Sequence, residues 1–324
     1  MKAKGNLENE EPKKKTLYTL TLTEEQIKKL KAWCDRQLWT FYEVDHALFG
    51  FKGDKVNVVA YKSGKVVIQG KKTEDFVTFV LEAEITHDPR MGYEEAHHPE
   101  WFEAHAGMDE SGKGDLFGPL VVACVIADAG VARTWLDEGL KDSKRITSDA
   151  AILTLEKKIL STKGVVVKTL FSGMEKYNTL YHKFGDNLNK LLGWMHAKCL
   201  EEALAEKRVP WGMLDQFSKK DLVSPHLGDD PFELRMQTKA EADPVVAAAS
   251  IVARATYVKQ MRKLSKEFGE PLLKGASAQV KDQGKRIVAK MGPEALGRFA
   301  KLHFKTAYEI LGKQAPEKPL WRKY

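Results

Sequence analysis

Residues 108–127 read MDESGKGDLFGPLVVACVIA. Two acids, Asp109 and Glu110, precede a turn built on Gly112, Lys113 and Gly114, and an unbroken apolar run from Leu120 to Ala127 follows. An apolar run of this length, rich in valine and bounded by turn residues, predicts a buried strand. Neighbouring side chains on a strand point to opposite faces. Asp109 and Glu110 therefore converge on one site only where their strand ends and turns. Gly112 and Gly114 supply that turn and leave the backbone open to a ligand. Lys113, between them, is a candidate phosphate contact. On its own the pattern is weak, because most Asp-Glu pairs ahead of glycines are simply solvated.

Further along the chain, strands alternate with helices. Beyond the strand that ends at Met108-Asp109-Glu110 and the strand Leu120 to Ala127, Gly164 to Leu170 predicts a third, and Gly212-Met213-Leu214-Asp215 a fourth, short and apolar with an acid at its end. Asn187 to Leu204 predicts a helix with Leu188, Leu191, Leu192, Met195 and Cys199 on one side. Pro244 to Leu264 predicts another, whose opening residues Ala247, Ala248, Ala249 and Ser250 permit close backbone packing. This alternation indicates a layered α/β domain from about residue 105 onward. Burying an unpaired carboxylate at Asp215 would be costly. Acids at the ends of two separate strands can instead share a hard cation. Mg²⁺ takes oxygen ligands and is commonly held by one or two carboxylates plus substrate phosphate. No His or Cys cluster competes for a softer metal. Such a carboxylate site on a basic protein points to phosphodiester chemistry with two ions about 4 Å apart.

The N-terminal part is a separate α+β unit. Tyr18, Leu20 and Leu22 alternate with Thr19 and Thr21 as in a half-buried strand. Thr23 and Gln26 form a capping box ahead of a helix carrying Ile27, Leu30 and Cys34. Val56 to Tyr61 and Lys65 to Gln69 flank the hairpin turn Lys62-Ser63-Gly64. Thr73 is expected to cap a second helix with Phe76, Val77, Val80 and Leu81. Two helices and about four strands imply one sheet with helices on one face. Residues 86–104 have no clear period, and their His87, His97 and His98 read as a solvated linker rather than a metal site.

The 324 residues, 43% hydrophobic and 30% charged, exclude a minimal scaffold and a disordered chain. Lys+Arg of 52 against Asp+Glu of 45 gives +7, a modest basic excess that suits a polyanion without demanding one. Cys34, Cys124 and Cys199 lie far apart, which excludes a disulfide framework and points to a reducing compartment, the cytoplasm. The longest apolar stretch, Leu120 to Ala127, is far short of the roughly 20 residues a membrane helix needs. MKAKGNLENEEPKKK has no apolar core after its charges and reads as a solvated basic tail, not a secretory signal.

The ordered motifs resemble a known family. GMDESGKGDLFGP at 107–119 resembles the opening motif of the type 2 and type 3 ribonucleases H, with Lys113 where type 2 enzymes usually carry Arg. Asp142-Ser143-Lys144, MLDQF at 213–217, KAE at 239–241 and AAASIVAR at 247–254 follow in family order. AYKSGKVVIQG at 60–70, LLKGAS at 272–277 and KLHF at 301–304 resemble type 3, ribonuclease HIII. The resemblance implies an α/β ribonuclease H-like mixed sheet flanked by helices at 105–312, joined by a linker at 87–104 to a domain at 16–86 similar to TATA-box-binding protein. Tails at 1–15 and 313–324 complete the expected organisation. It further implies an endonuclease cutting the RNA strand of RNA–DNA hybrids, leaving 5′-phosphate and 3′-hydroxyl ends. Asp109, Glu110 and Asp215 become metal ligands for Mg²⁺ or Mn²⁺, two ions in all. Glu241 is the chosen fourth catalytic acid, with Asp243 and Asp221 as alternatives. Gly112, Lys113 and Gly114 are placed to read the 2′-hydroxyl that distinguishes RNA. Lys144, Lys239 and Arg254 are phosphate contacts or surface charges, and Ser143 a phosphate contact or a helix cap. His303 is expected to be packed rather than catalytic. Tyr61, Lys62, Lys65 and Gln69 suit stacking and phosphate contact on a hybrid, with Tyr61 equally readable as core. The protein is expected to be monomeric. Rival readings are ribonuclease HII-like incision at single ribonucleotides and a non-catalytic hybrid-binding protein.

Overall fold

The capping box at Thr23 forms as its residue types dictate. In the computed structural model, which describes residues 16–88, 97–138, 140, 146, 148–228 and 231–316, the Gln26 amide donates to Thr23 Oγ1 at 3.3 Å and the Thr23 amide to Gln26 Oε1 at 3.0 Å. The pair joins strand β1 (Leu17–Thr21) to helix α1 (Glu24–Arg36), which buries Ile27, Leu30 and Cys34. Strands β2 (Thr40–Tyr42), β3 (Ala47–Lys52), β4 (Asn57–Tyr61) and β5 (Lys65–Gln69) complete an antiparallel sheet of order β1-β5-β4-β3-β2. Five strands stand where about four were expected. Phe51, Val58, Ala60, Val66 and Ile68 turn to one face, against Leu30 and Leu81. By the pleat, Tyr42, Lys52, Asn57, Tyr61, Lys65 and Gln69 turn to the other.

The second helix differs from expectation at its start. Lys72, not Thr73, is its N-cap residue, and Thr73 opens helix α2 (Thr73–Phe76), which continues as a wider π-type helix over Val77–Thr86. Thr73 is fully buried, and its hydroxyl donates to the Gly70 carbonyl at 2.8 Å instead of accepting from the helix.

The chain divides into two compact units, Met1–Glu100 and Trp101–Tyr324. Residues 99–102, inside the expected linker, form a 3₁₀ turn that buries Trp101. In the second unit β6 (His105–Ser111) is the middle strand of a sheet of order β10-β9-β6-β7-β8. Strand β7 (Val121–Ala127) pairs antiparallel with β6 as far as Ser111↔Val121, one residue beyond the expected strand end. After helices α3 (Ala129–Asp137) and α4 (Asp149–Ser161), β8 (Val166–Phe171) adds to β7. Helices α5 (Met174–Lys183) and α6 (Leu188–Glu206) lead to β9 (Trp211–Asp215) and β10 (Glu233–Gln237), both parallel to β6. Helix α7 (Pro244–Phe268) and helices α8 (Ala278–Met291) and α9 (Lys305–Ile310) close the unit.

The apolar run that announces β7 serves two cores at once. Val121, Ala123, Val125 and Ala127 pack with α7, whereas Val122, Cys124 and Ile126 pack with α6. The result is a mixed sheet flanked by helices on both faces, the architecture expected. Helix α7 lies directly on β6 because residue 107 is glycine: an added Cβ would meet the Val245 carbonyl carbon and the Val246 nitrogen at 2.4 Å. That closeness brings Ser250 and Arg254, one turn apart on α7, beside the acids of β6.

Candidate active site

The C-terminal ends of β6 and β9 open into one cavity of about 340 Å³. Its acidic wall is Asp109, Glu110 and Asp215; Ser111, Gly112 and Lys113 form the rim, and Ser250 and Arg254 come from α7. The chain can turn there because Gly112 has a φ of +85°, and a Cβ on it would meet the Pro119 carbonyl oxygen at 2.4 Å. No other residue type fits that position without moving the turn.

Each acid is held by a protein donor. Asp109 Oδ1 accepts the Glu110 amide at 2.7 Å, and Asp215 Oδ1 accepts the Ala240 amide at 3.1 Å. Glu110 is gripped by side chains: His196 Nε2 lies 3.3 Å from Oε2, and Lys113 Nζ 3.5 Å from Oε1. Burial pushes the Asp109 carboxyl up to about 7; the Ser250 hydrogen bond opposes this, and the Glu110 and Asp215 charges add to it. Burial also acts to raise Glu110, but the His196 hydrogen bond and charge, together with Lys113, outweigh it and hold Glu110 below its ordinary range. Among the described residues no three His, Cys, Asp or Glu side chains are drawn to metal-ligand spacing. The donor set nevertheless suits a hard divalent cation. The lining offers carboxylate and hydroxyl oxygen and no His or Cys, and the three carboxylates Asp109, Glu110 and Asp215 share one cavity.

Other expected residues are placed differently. Glu241 does not line the cavity. It sits in the 3₁₀ turn Ala240–Ala242, next to the amide that Asp215 holds. Asp243 is committed elsewhere. It caps α7 by accepting from Val245 at 2.7 Å, and its other oxygen lies 2.9 Å from the buried His105 Nε2. Asp221 accepts the Val223 and Ser224 amides and so closes its own loop. Gly114 lies outside the cavity lining, in open space. Ser143 and Lys144 fall outside the described residues. His303 is packed, as expected: its ring stacks on Tyr181 at 4.1 Å, its Nε2 meets the Tyr177 hydroxyl at 2.9 Å, and burial lowers it to about 4. Two residues were missed in their present roles. Ser250 read only as a packing residue, and His196 is hidden in the apolar stripe of α6; its one sequence signal is being polar beside Leu192, Met195 and Cys199.

In the first unit Tyr61 is half-buried on the sheet face opposite the core, which removes the core reading. Lys65 and Gln69 are exposed on that same face, and Lys62 is exposed in the hairpin turn. Tyr42 crosses this face above Gly50, where a Cβ would meet its ring at 3.0 Å.

Residues 106–307 match the family model of ribonuclease HII, and residues 18–90 match a domain family of unknown function, DUF3378. The chain is 40% identical over 272 residues to the ribonuclease HIII of Chlamydia muridarum, covering 82% of this chain and 88% of that one. It is 37% identical over 304 residues to the ribonuclease HIII of Chlamydia abortus, covering 91% and 97%. Among solved structures, Bst-RNase HIII in complex with Mn²⁺ superposes with a TM-score of 0.63 at 29% identity, covering 92% of this chain and 98% of that one. The RNase H3 of Aquifex aeolicus superposes with a TM-score of 0.52 at 26% identity, covering 88% and 99%.

Proposed function

The chain belongs to the ribonuclease HIII family, and from that premise we propose which of its residues carry out the reaction. The protein is a ribonuclease H: it hydrolyses the RNA strand of RNA–DNA hybrids and depends on a divalent metal. The reading of its site rests on one observation, that Asp109, Glu110 and Asp215 meet in a single cavity at the ends of adjacent parallel strands.

Asp109, Glu110 and Asp215 hold the metal, Mg²⁺ or Mn²⁺, as two ions. Glu241 is the fourth acid. Asp243 and Asp221 are occupied as caps, and the turn bearing Glu241 is tied to Asp215 through the Ala240 amide. A metal held there would activate water as the nucleophile at neutral pH and offset charge on the scissile phosphate. Lys113 and Arg254 face the cavity and bind flanking phosphates. The backbone at Gly112 and Lys113, on the cavity rim, is placed to meet a 2′-hydroxyl in the minor groove. Gly114, Ser143 and Lys144 join the substrate surface on the strength of their motifs. Tyr61, Lys62 and Lys65 add affinity through stacking and phosphate contact. Cleavage leaves 5′-phosphate and 3′-hydroxyl ends. The three cysteines are buried free thiols, in keeping with a reducing cytoplasm, and the enzyme acts as a monomer. No described helix is long and apolar enough to cross a membrane.

Duplex DNA carrying a tract of four ribonucleotides should be cut with Mn²⁺ or Mg²⁺, and a duplex with a single ribonucleotide cut far more slowly. Efficient single-site incision would favour the ribonuclease HII-like reading, and no cleavage with any divalent metal would favour a binding protein. On the N-terminal sheet, Lys65→Ala should weaken hybrid binding across all sequences and lower the log–log salt slope by about one. A salt slope equal to that of the wild type would remove Lys65 from the interface.

A further inference from the structure

His196 stands in the middle of α6, fully shut from solvent, with its ring stacked on Phe217 at 5.4 Å and 14° between planes. Its Nε2 meets Glu110 Oε2 at 3.3 Å, and its Nδ1 is buried with no hydrogen-bond partner among the described residues. Leaving a buried polar atom unpaired costs about 1–3 kcal/mol. A phenylalanine would fill the same space and stack on the same ring without that cost. What an imidazole offers here beyond a phenyl ring is its hydrogen bond to Glu110. Since a carboxylate only accepts, Nε2 carries the proton and donates.

We propose that His196 is a positioning residue: it fixes the Glu110 carboxylate in the orientation that serves the divalent cation. The inference rests on the reading of Glu110 as a metal ligand. The other two acids are short and each accepts a backbone amide, Asp109 that of Glu110, with the Ser250 hydroxyl besides, and Asp215 that of Ala240. Glu110 has one more rotatable bond and is held by side chains. Of its two holders, Lys113 is 36% exposed and sits on a glycine turn, whereas His196 is rigidly packed in a helix. The rigid contact sets the carboxylate plane; the flexible one follows it. Losing an outer partner of a metal-binding carboxylate typically costs 10–100-fold in metal affinity.

The test uses the full-length protein and Mn²⁺ alone, titrated calorimetrically, with thermal melting of each variant without metal. His196→Phe keeps the ring and the stacking and removes the donor. It should bind Mn²⁺ about 10–100-fold more weakly while melting close to the wild-type temperature, because relief of the unpaired Nδ1 offsets the loss of the Glu110 donor. His196→Gln, whose amide can donate to Glu110, should recover much of the affinity. In cleavage assays His196→Phe should need proportionally more Mn²⁺ for half-maximal rate, with kcat at saturating metal close to wild type. Wild-type Mn²⁺ affinity in His196→Phe overturns the inference. So does weakened binding that comes with a lower melting temperature and is not recovered by glutamine, because that marks a purely structural role. Asp109→Asn separates this from the site reading. If wild type and Asp109→Asn take up Mn²⁺ alike, the cavity is not the metal site, and that reading fails first.

Discussion

Asp109→Asn is expected to lower kcat by about a thousandfold or more, roughly 4 kcal/mol of transition-state stabilisation, while leaving the fold intact. The substitution is nearly isosteric. The asparagine Oδ1 can still accept the Glu110 amide, the bond that now spans 2.7 Å. What disappears is the negative charge of a buried carboxylate. Burial, with help from Glu110 and Asp215, pushes the Asp109 carboxyl up to about 7, so the fold bears a cost for this acid whenever it is ionised. A neutral amide relieves that cost. Without divalent metal the variant should therefore melt at or above the wild-type temperature, even though it no longer turns over hybrid. Opposite signs for stability and activity are the mark of a residue retained for function. Melting curves with and without Mn²⁺, together with single-turnover cleavage, decide the matter. Near-normal cleavage by Asp109→Asn would dissolve the metal-site assignment.

Much of this site was legible because its signals are local. Asp109, Glu110 and Gly112 lie within four residues, and the apolar runs feeding β6 and β9 end on their acids. A glycine forced to a φ of +85° leaves its trace in the sequence. The residues that orient the acids left almost none. His196 and Glu110 are separated by 86 residues, and their contact exists only once α6 has packed on the sheet. Ser250 reads as one more small residue in an alanine run, since close helix packing and hydrogen bonding to Asp109 favour the same size. In the first unit the extra strand was hidden for a related reason. Strand β3 holds Gly50, and its register with β4 shifts between Ala47 and Phe49, so the alternation that signals a strand is broken. Gly50 is there because Tyr42 lies across it, a demand of the neighbouring strand and not of its own.

The same logic gives the KLHF segment a physical role. Lys301 is fully buried; its Nζ donates to the Asp115 carbonyl at 2.9 Å and to the Gly118 carbonyl. Its backbone adds a bond to the Leu116 carbonyl at 2.9 Å, and Phe117 bridges to Ala300. Lys301 thus ties down the segment that follows the Gly112–Gly114 turn. Burial lowers its pKa to about 7, with the Asp115 charge opposing. A neutral amine keeps two N–H donors, enough for the two carbonyls. In the unfolded chain the group titrates near 10.4. Between about 7 and 10 the unfolded state therefore binds more protons, and wild-type stability gains as pH rises, by at most about 1.4 kcal/mol per pH unit. Lys301→Met lacks that increment and leaves two buried carbonyls without their donor, at about 1–3 kcal/mol each. The variant should thus be less stable by about 2–6 kcal/mol at pH 9, with the gap narrowing as pH falls toward 7. Below that the wild type carries a buried charge that methionine avoids. Denaturant unfolding of both proteins at pH 7, 8, 9 and 10 measures the gap directly. A gap that stays constant over that range would mean the amine is charged throughout and that its burial is far less costly than the fold implies. Because the segment follows directly on the Gly112–Gly114 turn proposed to meet substrate, cleavage by Lys301→Met should fall at pH 7 as well, where the stability difference is smallest.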